Sequence, residues 1–177
     1  MGAVIDVNDP PGAAITAVLL HPHPHMGGDR FNHVVDSLYR ALPTHGFRAV
    51  RFDFTSADVA LAAAQTVEVI EQSPLPVVVV GYSFGAGVAV HATHPSVRGW
   101  ALVAPYIAED AAPIATDPRP KLIVVAERDQ WSPPARVEPL VATWENTTLM
   151  TLPGADHFLL GATGTLIEAA VEWLQTL

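Results

Sequence analysis

Ser83 lies in Gly81-Tyr82-Ser83-Phe84-Gly85, with a glycine two residues away on either side. A serine hydroxyl becomes a useful nucleophile only when it is held exposed beside a base, and a G-x-S-x-G turn between a strand and a helix holds it so. The four valines before it, Val77 to Val80, are β-branched with no polar alternation, as in a central strand covered on both faces. Residues 86–90, Ala-Gly-Val-Ala-Val, read as a small-residue helix after the turn. The glycines remove the Cβ atoms that so sharp a turn would bring into collision.

An activated serine requires a base, and the base requires an acid to fix its tautomer and balance its charge. In hydrolases that carry the serine on such a strand-turn-helix, the order is serine, acid, histidine, each after its own strand. Residues 122–126 form an apolar strand that runs into Glu127-Arg128-Asp129-Gln130-Trp131, and Asp129 is the candidate acid. Residues 147–152 form another strand followed by Pro153-Gly154-Ala155-Asp156-His157-Phe158, and His157 is the candidate base. Glu127 and Asp156 compete for the acid role; Glu127 is nearer its strand end, and Asp156 suits an Asx-type turn.

Acyl-transfer chemistry also needs two main-chain N–H donors for a developing oxyanion, one from the residue after the nucleophile and one from the loop after an earlier strand. Phe84 is the first candidate. Residues 17–20 are the earlier strand, and the loop is His21-Pro22-His23-Pro24-His25-Met26-Gly27-Gly28. Pro22 and Pro24 carry no N–H and favour an extended, polyproline-like path, so His23 is the preferred second donor and His25 and Met26 are fallbacks. The alternating His21, His23 and His25 permit a metal-dependent reading, because imidazole binds several transition metals. The expected path turns alternate side chains apart, and neither cysteine nor an H-E-x-x-H spacing accompanies them, so no metal or cofactor is expected.

These residues together resemble the α/β-hydrolase superfamily, and within it the small cap-less members, dienelactone-hydrolase-like or serine-esterase-like, whose first motif reads H-P-x-x-x-x-G-G. His21-Pro22, Gly27-Gly28 and Asn32 match that motif, Ser83 the G-x-S-x-G, Asp129 and Pro133 the segment around the acid, and His157 the G-x-D-H-F ending. The resemblance implies a serine hydrolase acting on a carboxylic ester or thioester through an acyl-enzyme, on a minimal fold with a mostly parallel sheet, helices on both faces and no cap. One departure stands out: where relatives carry an arginine- and glycine-rich loop, this chain reads Phe52-Asp53-Phe54-Thr55-Ser56, and Asp53 has no assigned role. A fossil triad on a binding protein of the same fold remains an alternative, since fold does not dictate function.

The elements that must position these groups alternate strand and helix along the chain, the pattern of a parallel sheet. Phe31, Val34, Val35, Leu38 and Leu42 share a helical face ended by Gly46; residues 47–52 form a strand, 56–72 an alanine-rich helix, 97–103 a strand and 133–144 a helix. Thr165 and Glu168 have capping-box spacing at the start of a last helix whose Leu166, Ala170, Trp173 and Leu177 face inward. Only residues 105–119 separate the strand at 97–103 from the acid's strand, too few for a lid. An open site walled by Tyr82, Tyr106, Ile107, Trp131 and Phe158 is therefore expected, suited to a small-molecule acyl substrate.

With 177 residues, half of them apolar, the chain is expected to form one domain over 1–177. It has no cysteine, and its net charge of −9, with basic residues scattered singly, argues against nucleic acid or acidic membranes as partners. Neither a secretory signal, a myristoylation pattern nor a membrane-spanning run is recognisable, so a cytoplasmic location is expected. Oligomeric state is not readable from the chain.

Overall fold

A computed structural model describes residues 4–107 and 112–177; Met1 to Ala3, the start of the segment that lacks a targeting pattern, and 108–111, within the short connection at 105–119, lie outside the described residues. Among the described residues, seven strands form one sheet in the order β1-β3-β2-β4-β5-β6-β7. They are β1 (Ile5–Asn8), β2 (Thr16–Leu20), β3 (Arg48–Phe52), β4 (Val77–Tyr82), β5 (Val97–Val103), β6 (Lys121–Ala126) and β7 (Thr147–Leu152). Only β1 runs antiparallel, against β3; every other neighbouring pair is parallel. The helices are α1 (His33–Ala41), α2 (Val59–Glu71), α3 (Phe84–Ala89), α4 (Pro134–Val141) and α5 (Thr163–Leu174).

Period-two alternation in the fully buried strands divides the core between the two faces of the sheet. Val77 and Val79 of β4 pack with Ala62 and Ile70 of α2, Val88 of α3 and Val137 of α4. Val78 and Val80 point to the other side, with Val34 and Leu38 of α1 and Leu166 and Trp173 of α5. No polar side chain interrupts β4 because neither face meets water.

Several local boundaries differ from the sequence-based expectation. Phe31 precedes α1 and is 54% exposed, stacked under the guanidinium groups of Arg30 and Arg51 at 4.4 and 4.8 Å. Asn32 caps α1 by accepting from the Val34 N–H, and Leu42 belongs to a following 3-10 turn, which Gly46 closes at φ 85°. The alanine-rich helix begins at Val59 because Asp58 accepts from the Leu61 N–H. α4 stops at Val141, three residues before the expected end. The Thr165–Glu168 capping box does not form: α5 already starts at Thr163, after Leu159 and Gly161 turn the chain at φ 55° and 77°. Leu177 lies beyond α5 and is exposed.

Asp53 also finds its role at this level. Its carboxylate accepts from the main-chain N–H of Arg30 at 2.8 Å and pairs with the Arg30 guanidinium, and its carbonyl accepts from Gln65 Nε2 at 2.9 Å. Arg30 and Arg51 both reach Asp6 of β1, and Arg51 also reaches Asp36 of α1 at 2.6 Å. The glycine-poor loop after β3 is thus fastened by charge to the loop after β2 and to the antiparallel strand.

Candidate active site

β4 delivers Ser83 at its C-terminal end in a backbone conformation that side chains rarely adopt, φ 54° and ψ −114°. Holding a non-glycine residue there costs roughly 1–3 kcal/mol, and the packed turn around it supplies the constraint. A Cβ at Gly81 would lie 2.3 Å from the Gly85 carbonyl oxygen, and one at Gly85 would lie 2.4 Å from that of Leu20. Both positions require glycine because backbone crosses backbone there. The turn is pinned by the Ser83 N–H donating to Val103 and the Tyr106 N–H donating to Ser83.

The Ser83 hydroxyl lies 2.9 Å from His157 Nε2, and His157 Nδ1 lies 2.7 Å from Asp129 Oδ2. An ionised carboxylate only accepts, so His157 carries its proton on Nδ1 and presents a bare Nε2 to the hydroxyl. The other Asp129 oxygen accepts from the N–H groups of Trp131 and Ser132 at 2.8 and 2.7 Å. Burial opposes the charge on Asp129, yet the bond to His157 and the two N–H donors hold its carboxyl below the ordinary carboxylate range. Asp129 and His157 are both buried, at 3% and 4% exposure, which keeps their interaction out of water.

The competing acids are occupied elsewhere. Glu127 accepts from the Gly154 N–H at 2.6 Å, tying the loops after β6 and β7 together. Asp156 accepts from the Phe158 N–H at 3.0 Å and forms an Asx turn.

The loop after β2 departs from the expected extended path. Proline at the first position of a 3-10 turn suits its geometry, and residues Pro24–Met26 form such a turn, with the His23 ring accepting from the His25 N–H. The His25 N–H is therefore occupied, and the Met26 N–H donates to the His23 carbonyl at 3.0 Å, so neither fallback donor is free. Among the described residues, the N–H groups of His23 and Phe84 donate to no protein acceptor. Their rings pack edge-on at 4.9 Å beside Ser83.

His21 is 1% exposed, with both ring nitrogens engaged: Nδ1 donates to the Pro22 carbonyl and Nε2 accepts from the Phe54 N–H at 2.9 Å. Burial pushes its pKa down, and it stays neutral as a strut between the loops after β2 and β3. The rings of His23 and His25 approach to 5.5 Å instead of turning apart, but His21 faces the interior. With the His21 nitrogens committed, the three histidines do not form a ligand set.

A cleft of about 720 Å³ opens over Ser83. Tyr106, Trp131 and Phe158 line it and are half exposed, whereas Ile107 is buried in the core and does not reach it. Tyr82 also lines the cleft, but only 4% of it is exposed and its hydroxyl donates to the His157 carbonyl at 2.8 Å. Trp131 packs edge-on against the His157 ring at 4.5 Å. Val59 of α2, Gly87 of α3, and Val90 and His91 in the turn after α3 also wall the cleft, and nothing in their spacing along the sequence marks them as a wall. Nor does spacing mark the His33 Nε2 bond to the Phe158 carbonyl at 2.7 Å, which ties α1 to the histidine loop.

Comparison with known proteins then decides the family, because the serine hydrolase family model matches residues 24–175. The chain belongs to the serine hydrolase family. Its fold is that of the α/β-hydrolase superfamily. An α/β serine hydrolase homologue from Coxiella burnetii is 26% identical, with a TM-score of 0.85 over 96% of this chain and 90% of that one. A serine hydrolase without a lid from Xanthomonas campestris is also 26% identical, with a TM-score of 0.77 over 96% of this chain and 88% of that one. A dienelactone hydrolase from Anabaena variabilis, 21% identical, shares the fold with a TM-score of 0.83 over 97% of this chain and 90% of that one. No curated protein matches the chain in sequence. No helix among the described residues is long and apolar enough to cross a membrane.

Proposed function

We propose that this serine hydrolase cleaves a carboxylic ester or thioester through an acyl-enzyme, with Ser83 as nucleophile, His157 as general base and acid, and Asp129 as the orienting acid. The observation that carries this reading is the continuous hydrogen-bonded line from Ser83 Oγ through His157 to Asp129. His157 Nε2 takes the hydroxyl proton as Ser83 Oγ bonds to the acyl carbon, and the carbonyl oxygen becomes an oxyanion. The N–H groups of Phe84 and His23 receive that charge; free donors in place before the reaction need no reorganisation. Collapse breaks the bond to the alkoxide or thiolate, which leaves with the proton from His157. Water, deprotonated by the same Nε2, then releases the acid and restores Ser83.

A fluorescent fluorophosphonate tests this without knowledge of the physiological substrate. Wild type labels, and Ser83→Ala and His157→Ala do not. A folded wild type that stays unlabelled refutes the reading and favours a binding protein on the same fold.

A further inference from the structure

A second space adjoins the cleft over Ser83. Val59 and His91 line the cleft, and the same two residues line a shallow groove along α2 whose floor is Ala60, Ala63, Ala64 and Val67. The two spaces therefore adjoin at Val59 and His91, and a group extending from Ser83 towards His91 is directed at the groove. The charge distribution indicates what that group is. No lysine, arginine, aspartate or glutamate lines the cleft among the described residues; its titratable groups are His23, His91 and His157 with the phenols of Tyr82 and Tyr106. In the groove the one acid, Asp58, already caps α2 by accepting from the Leu61 N–H. Small side chains at Ala60, Ala63 and Ala64 keep the floor low and apolar, and no lysine or arginine is present among the described lining residues to pair with a carboxylate.

We infer that the groove along α2 is the acyl subsite and that the substrate class is a neutral, extended aliphatic acyl ester or thioester. This rests on the serine hydrolase reading of the cleft. The acyl carbonyl sits at Ser83, the chain passes Val59 and His91, and its far end lies over Ala60 and Ala64. Binding along such a channel raises kcat/KM by up to about fourfold for each buried methylene.

The test is a series of p-nitrophenyl esters, acetate, butyrate, octanoate and dodecanoate, plus an octanedioate half-ester with a free terminal carboxylate. Ala60 and Ala64 are exposed helix positions, so Ala60→Trp and Ala64→Trp fill the groove without disturbing the core. Leu61→Trp places the same indole on α2 at a residue that lines neither space, and serves as the control.

Wild type is expected to turn over octanoate with a kcat/KM at least tenfold above that of acetate and of the half-ester. Both alanine variants are expected to lower the octanoate-to-acetate ratio about tenfold, and Leu61→Trp to leave it in place. A wild-type preference for acetate, equal use of the half-ester, or a ratio unmoved by Ala60→Trp and Ala64→Trp overturns the inference. Fluorophosphonate labelling of the same preparations separates the two levels. If Ser83 labels but the chain-length preference is absent, only the acyl groove fails; without labelling both readings fall.

Discussion

The hydroxyl of Tyr82 donates to the main-chain oxygen of His157 across 2.8 Å. Tyr82 is the residue immediately before Ser83, so one side chain joins the turn that carries the hydroxyl to the loop that carries the imidazole. Burial pushes the phenol pKa well above its ordinary value, with Asp129 and Asp156 adding to the effect, so the group remains a donor through the working pH range.

Tyr82→Phe keeps the packed ring and removes only this bond. Leaving the His157 carbonyl without its partner costs about 1–3 kcal/mol of stability. Because the variant loosens His157 relative to Ser83 without changing the walls of the cleft, kcat is expected to fall about tenfold with KM nearly constant. Steady-state kinetics on an activated ester, with thermal unfolding in parallel, check this; a KM effect alone would assign Tyr82 to substrate contact.

Asp129→Asn preserves shape while changing which atoms donate. Its amide can still accept from the N–H groups of Trp131 and Ser132, but it places an N–H opposite His157 Nδ1. That favours the tautomer in which Nε2 carries the proton and cannot accept from Ser83. A loss of kcat of about three to four orders of magnitude is expected. Circular dichroism should show a folded protein, and fluorophosphonate labelling should slow in the same proportion.

Acid lability has identifiable sources. The Asp117 carboxyl is lowered to about 2, chiefly by its bonds to Arg119, against the opposing effect of burial. A carboxyl depressed in the folded state stabilises it above its ordinary pKa, and that stabilisation is lost as pH falls from about 4 towards 2. Asp129, lowered in direction, acts with the same sign. For His21, burial lowers the pKa, so the neutral ring stabilises the fold above about 6.5 and stability declines as pH falls below that. The melting temperature is therefore expected to fall in two stages. Asp117→Asn should flatten the lower stage, with a cost at neutral pH of about 1 kcal/mol for so partly exposed a pair. His21→Ala, which also orphans the buried Phe54 N–H, should cost about 2–4 kcal/mol and remove the upper stage. Melting curves from pH 7.5 to 2.5 on the two variants check both assignments.

Elements whose form is governed by short-range sterics were legible in the chain. Consecutive valines from Val77 to Val80 cannot alternate between core and water, so they specified a buried strand; Gly81 and Gly85 marked a turn where backbones meet. That Ser83, Asp129 and His157 can meet, each lying just after a strand, also follows from topology, because parallel strands place all their C-terminal ends along one edge. The tertiary structure decided the partners. Three acids, Glu127, Asp129 and Asp156, lie near the ends of β6 and β7, and loop geometry commits two of them to main-chain N–H groups while Asp129 faces His157. The same holds for Asp53, whose partner Arg30 is distant in sequence, and for His25 and Met26, whose N–H groups are taken up because the loop curls at Pro24. Local sterics is written into neighbouring residues; a hydrogen bond across the fold depends on the register of loops that only the packed sheet and helices set.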